Sequence, residues 1–212
     1  MLDNQPKGLE LDAYPNDGEA PAGWVLSAPF AEADSGGDES SAAAPVILEK
    51  HLEDVTRAVT QATSTAITDE SIRQSLIRAA QFHDYGKADA RFQALLRGGD
   101  PMAAQLAPRP LAKGAQARQS KQVRNAQWAR SGLPDGFRHE LISLLLARQG
   151  PDKVDDDLVL HLIASHHGRC RPFAPVVEDD GGDLAYGGRR ITRGQRIAEA
   201  AHRLESGVSD RF

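Results

Sequence analysis

The pattern that most constrains this chain is a series of helix-length apolar stripes with no convincing strand alternation anywhere. Leu48, Leu52, Val55 and Val59 recur at spacings of four, three and four, which predicts a helix from about Val46. His51 lies on or beside that stripe. Ile72, Leu76, Ile77 and Ala80 form a second stripe that runs on to His83 and starts near Thr68 or Asp69, where acidic residues suit a helix N-terminus. Gly86 marks its end. A short helix follows Asp89, with Phe92, Leu95 and Leu96 inward, and Gly98-Gly99 stops it. Residues 99–135 are broken by Pro and Gly and hold one helix, from about Ala115 to Ala129. Two further helices run from about Arg138 to Gln149 and from Asp155-Asp156-Asp157 to Ser165. Residues 171–190 read as a loop, and a weak last helix spans Thr192 to Leu204. The fold class is all-α.

Charge divides the chain in two. Residues 1–44 hold nine acidic residues and one basic residue, Lys7, a local net charge of −8, together with four prolines and five glycines. Such a stretch buries too little apolar surface to offset its ordering entropy. It reads as a disordered acidic linker or tail, in which Trp24-Val25-Leu26 is expected to pack locally. Removing that −8 from the overall −5 leaves residues 45–212 at +3, and these form the folded domain. Between Pro101 and Arg138 there are seven basic residues against Asp135 alone. Arg118, Lys121 and Arg124 are the candidate DNA contacts within this basic insertion, because phosphate backbones attract such a stretch through counterion release. Composition alone slightly favours the plainer alternative, a solvated helical face or mobile loop.

The single cysteine, Cys170, excludes an internal disulfide framework and a cysteine-based zinc site and points to a reducing compartment, which we read as the cytoplasm. No run of 18 apolar residues exists, so no membrane span is expected, and the first residues do not read as a signal peptide.

Five of the seven histidines are expected at helix ends or on inward faces. They are His51, His83, His139, His166 and His167, with Asp84 directly after His83. A lone buried histidine is usually a satisfied core residue, and His161 and His202 read as packing or surface residues. Five histidines with an aspartate are better explained as donors to Mn, Fe, Co, Ni or Zn. A carboxylate has two oxygens and can bridge two ions, and an ion pair can clamp the attacking and leaving oxygens of a phosphodiester. Lys87, one turn beyond Asp84, could reach a phosphate oxygen. Asp89 reads as the cap of the next helix, and Trp128 as core.

These pieces, His51 in Glu49-Lys50-His51-Leu52, Phe82-His83-Asp84-Tyr85-Gly86-Lys87-Ala88-Asp89, Arg138-His139-Glu140 and Ser165-His166-His167-Gly168-Arg169, resemble the HD superfamily of metal-dependent phosphohydrolases. The resemblance is greatest to the HD nuclease domain that accompanies the DExH helicase of type I CRISPR interference. It covers about 46 to 170 and implies an HD helical bundle holding two divalent ions, with Mg possible besides the transition metals. His51, His83 and Asp84 would hold one ion, and Asp84, His139, His166 and His167 the other. Asp84 and Lys87 would be the catalytic pair. The implied substrate is single-stranded DNA, and the implied partners are a helicase, fused or separate, and the CRISPR surveillance complex. The family carries a further aspartate on a late helix. Here Gly194–Glu205 has none, and nothing marks Asp210 as a ligand, so the domain reads as cut before that helix. No Gly-x-x-x-x-Gly-Lys-Ser/Thr loop is present, which places the helicase outside this sequence. A nucleotide or cyclic-nucleotide phosphohydrolase shares almost the same ligand set, and a non-catalytic DNA- or protein-binding domain would follow if the site were incomplete.

Overall fold

A computed structural model describes residues 10–14, 23–27, 41–42, 44–115, 120–167, 177 and 179–198. The chain divides into two compact units, Met1–Asp38 and Glu39–Phe212. In the first, strands β1 (Glu10–Tyr14) and β2 (Gly23–Ser27) pair antiparallel with Glu10 opposite Ser27 and Tyr14 opposite Gly23. This local pairing lies within the stretch read as a linker, where proline and glycine interrupt any alternation too often for it to be read from sequence. The side chains of Trp24-Val25-Leu26 lie outside the described residues.

The second unit is helical. Its helices are α1 (Leu48–Ala66), α2 (Glu70–Phe82), α3 (Ala90–Leu95), α4 (Pro101–Leu106), α5 (Lys121–Ser131), α6 (His139–Ala147), α7 (Asp157–Ser165) and α8 (Arg193–Ala198). Several starts follow capping chemistry. Asp69 accepts from the backbone N–H groups of Ser71 and Ile72, Asp89 from Arg91, Asp100 from Met102 and Ala103, and Asp156 from Leu158 and Val159. Asp89 thus acts as the cap that its position suggests.

Helices α6 and α7 are apolar around most of their circumference (HELISLLLA and DLVLHLIAS) and form the centre of the domain. Leu144, Leu145 and Leu146 pack with Leu160, Ile163, Phe82 and Phe92 in one aliphatic-rich core, with Trp128 packed against it. Each such side chain contributes about 1.5–3 kcal/mol by leaving water. Helix α2 packs on α7, and a single 3-10 turn, Tyr85–Ala88, lies against α6. Helix α1 buries only Leu48, Leu52 and Thr63, and the first two form a satellite core with Ala112.

Two small sheets accompany the helices among the described residues. Strand β5 (Leu111–Ala115) is central in a three-stranded sheet, parallel to β3 (Ser41–Ala42) and antiparallel to β4 (Val46–Ile47). Strands β6 (Leu184–Tyr186) and β7 (Arg189–Ile191) form a hairpin whose Gly187-Gly188 turn has φ +56° and +74°. The region 99–135 is therefore more regular than its composition suggests, holding α4, β5 and α5. Asp100 with Pro101 at the first helical position starts α4, and β5 is ordered by strands that lie far from it in sequence.

Candidate metal centre

The site forms where helix ends meet. His51 sits in the first turn of α1. His83 and Asp84 close the C-terminal end of α2, His139 opens α6, and His166 and His167 follow α7. All five histidines converge on Asp84, which is 1% exposed. On Oδ2, His51 Nε2 lies at 3.1 Å and His83 Nε2 at 3.5 Å; on Oδ1, His139 Nε2 lies at 3.1 Å and His166 Nε2 at 3.6 Å. His167 Nε2 is 3.2 Å from His139 Nε2. The ligand atoms of Asp84, His139, His166 and His167 lie within 4.8 Å of one another, and so do those of His51, His83 and Asp84.

The outer ring nitrogens fix which nitrogen faces inward. His83 Nδ1 is 2.8 Å from the Ala80 carbonyl oxygen and His166 Nδ1 2.7 Å from that of Ile163. A carbonyl only accepts, so each Nδ1 carries a hydrogen, and in the neutral form of such a ring Nε2 presents a bare lone pair. Burial draws His83 down to about 4, against the pull of Asp84, so its ring is neutral at pH 7; burial lowers His139 too, again against Asp84. Burial alone would raise Asp84. Ring N–H groups, where they face it, and the Lys87 ammonium instead hold its carboxyl well below the ordinary range in the metal-free protein.

Bare lone pairs aimed at an ionised carboxylate repel unless a cation lies between them. Asp84 Oδ1 is buried and has no hydrogen-bond donor among the described residues, although His139 Nε2 lies 3.1 Å from it. Two nitrogens that share one ion at the usual bond length stand about 3 Å apart, as His139 and His167 do. The donor set therefore fits divalent metal.

Two features hold the Asp84 turn in place. Gly86 N–H donates to Ser143 Oγ at 2.8 Å, and Ser143 Oγ donates to the His139 carbonyl at 2.9 Å. A Cβ on Gly86 would lie 2.0 Å from that carbonyl oxygen, so only glycine lets the turn approach α6 this closely. Lys87 Nζ, 3% exposed, pairs with Asp84 Oδ2 at 2.8 Å.

A buried network flanks the turn. Arg196 Nη1 lies 2.7 Å from Asp89 Oδ2 and 3.1 Å from Asp179 Oδ2, and Arg91 Nη2 lies 3.1 Å and 2.7 Å from the same two carboxylates. Sequence reasoning gave Asp89 only its capping role, because its partners lie up to 107 positions away. Nor did it find Ser143, which nothing marks in an apolar helix. For Glu140 a signal existed: it is an acid directly after a ligand histidine.

All six expected metal ligands come together with Lys87. His161 is half-buried on α7 and belongs to neither ligand group. Of the basic candidates, Lys121 is exposed and Arg124 half-buried, both in the first turn of α5, which packs on α3. Arg118, Cys170, His202, Asp210, and Gly168 and Arg169 of the last motif lie outside the described residues. No carboxylate besides Asp84 joins the ligand groups among the described residues.

Paired imidazole clusters sharing one aspartate at the ends of packed helices define a metal-binding HD hydrolase site. The chain matches the family model described as "Cas3, HD domain" over residues 38–206. It belongs to that family, a class of metal-dependent nucleases tied to CRISPR defence. No curated protein and no solved structure matches it.

Proposed function

We propose that this domain is a two-ion nuclease that cleaves phosphodiester bonds of single-stranded DNA during CRISPR interference. The observation that carries the reading is the convergence of five imidazoles, two of them with Nδ1 tied to a carbonyl, on the two oxygens of Asp84. Asp84, His139, His166 and His167 would hold one ion and His51, His83 and Asp84 the other. Bound ions would supply Lewis-acid stabilisation of the phosphate and an activated water. Five imidazoles favour Mn, Fe, Co, Ni or Zn over Mg, which prefers oxygen donors.

The protein's own groups do the positioning. Asp84 bridges the two clusters and stays ionised. Lys87 sets a positive charge beside it, where a phosphate oxygen would lie. The basic start of α5, with Lys121 and Arg124, supports attraction of a phosphate backbone, and Arg118 is assigned with them. The acidic segment 1–44 would serve as connector to residues 45–212, and a DExH helicase, fused or separate, would deliver the strand at the CRISPR surveillance complex. Cytoplasmic residence goes with that role. No helix among the described residues is long and apolar enough to cross a membrane.

The test is cleavage of an end-labelled single strand with Mn²⁺, alongside duplex DNA and mononucleotides. The reading expects strand cleavage that disappears in His83→Ala and Asp84→Ala. Turnover of mononucleotides with inert DNA would replace it with a nucleotide phosphohydrolase, and equal cleavage by all three proteins would remove it.

A further inference from the structure

Among the described residues, His139 is the one ligand that meets Asp84 and also touches a second buried carboxylate. Glu140 is 3% exposed, and its Oε2 lies 3.5 Å from His139 Nδ1. Its other oxygen is held in place. Arg138 Nε and Nη2 reach Oε1 at 3.1 and 2.6 Å, a forked grip that fixes the plane of the carboxylate. With Oε1 taken, Oε2 is the atom left to face the ring. On the far side of that ring Nε2 meets Asp84 Oδ1 at 3.1 Å and His167 Nε2 at 3.2 Å. The order Arg138–Glu140–His139–Asp84 is therefore a continuous chain of close polar contacts, hydrogen-bonded between Arg138 and Glu140 and at ion-pair distance beyond, and its middle members are consecutive in sequence at the N-terminus of α6.

His83 and His166 have main-chain carbonyls behind their rings, whereas His139 has an ionised side chain. A carboxylate accepts the Nδ1 hydrogen and also pushes electron density toward Nε2, making that nitrogen a better donor than one backed by a neutral carbonyl. Burial strengthens this contact, because little water screens it.

We propose that Glu140, oriented by Arg138, is a positioning residue that holds His139 with Nε2 inward and selectively strengthens the ion held by Asp84, His139, His166 and His167. The inference rests on the metal-centre reading above. Glu140 itself touches no ion.

The experiment is calorimetric titration of the full metal-free chain with Mn²⁺ alone, in wild type and in His51→Ala, which isolates the four-donor ion. Adding Glu140→Gln keeps the shape and an acceptor oxygen but removes the charge. Affinity for the four-donor ion is expected to fall on the order of 10- to 100-fold, while the ion held by His51, His83 and Asp84 changes less than about twofold. Equal weakening of both ions would mean that Glu140 only supports the fold and would overturn the proposal; so would unchanged affinity in a folded variant. If Glu140→Gln does not fold, Arg138→Lys provides the second reading, since it loosens the forked grip and leaves the acid. The same selective loss, smaller in size, is expected there, and unchanged affinity would overturn the proposal. Failure of wild type to bind Mn²⁺ at all would remove the metal-centre reading, an outcome distinct from failure of the Glu140 variants alone.

Discussion

The two oxygens of Asp84 face unlike surroundings. Oδ1 looks toward His139, His166 and His167, carried by α6 and α7, the most deeply buried helices of the domain. Oδ2 looks toward His51 and His83, carried by the largely exposed α1 and by the end of α2, and it also meets the Lys87 ammonium at 2.8 Å. One side therefore offers four donors on rigid elements. The other offers three donors, with a lysine already competing for the shared oxygen. The difference teaches that a shared ligand need not make equal sites. The four-donor side would fill first and hold its ion, and the three-donor side, with more open coordination, would exchange ions more readily and leave room for substrate.

The largest effect should come from removing what both sides share. Asp84→Ala is expected to lower Mn²⁺-dependent strand cleavage by at least about a thousandfold, checked by initial rates alongside metal content. Retention of both ions would erase the comparison. Next comes the buried network that flanks the Asp84 turn. Arg196→Leu leaves Asp89 and Asp179 short of one charge, and because Arg91 still contacts both, the expected loss is about 3 kcal/mol, the low end for breaking a buried ion pair. Denaturant unfolding measures it, and a loss below about 1 kcal/mol would show the network to be incidental.

Gly86→Ala tests the link between the two sides. Its Cβ would meet the His139 carbonyl, so the turn must move from α6 at a cost of about 2 kcal/mol, with cleavage falling alongside stability. A variant as stable and active as wild type would show that the close approach is not needed.

The last effect is a pH slope on the three-donor side. His83 titrates near 6.5 when unfolded and near 4 when folded. Between those values the unfolded state binds more protons, so stability rises with pH and is lost as pH falls through the window. The Tm of the metal-free chain should drop from pH 7 to pH 4, and His83→Gln should flatten that drop. An unchanged slope would take His83 out of the account.

Much of the site can be read from the sequence because its ligands sit at helix ends, and helix ends are marked by caps, glycines and the breaks in apolar stripes. His83-Asp84 before Gly86, His139 at the start of an apolar run and His166-His167 after one are all placed by local pattern. What escaped depends on distant partners. Strand β5 is ordered by Ser41–Ala42 and Val46–Ile47, and Arg196 matters only because Asp89 and Asp179 fold against it. The β6–β7 hairpin did leave a local trace, since Gly187-Gly188 between Leu184–Tyr186 and Arg189–Ile191 is a two-residue turn signal. Its strands of three residues are too short for alternation to reveal them. The unequal character of the two ligand groups was not visible either, because the sequence orders the ligands without showing which oxygen of Asp84 each one meets.

The most direct test of the central claim is an anomalous difference map collected at the manganese edge from crystals of the full chain grown with Mn²⁺. The account predicts two peaks, a stronger one among Asp84, His139, His166 and His167 and a weaker one among His51, His83 and Asp84. Absence of both, or ions held only by other residues, would contradict it.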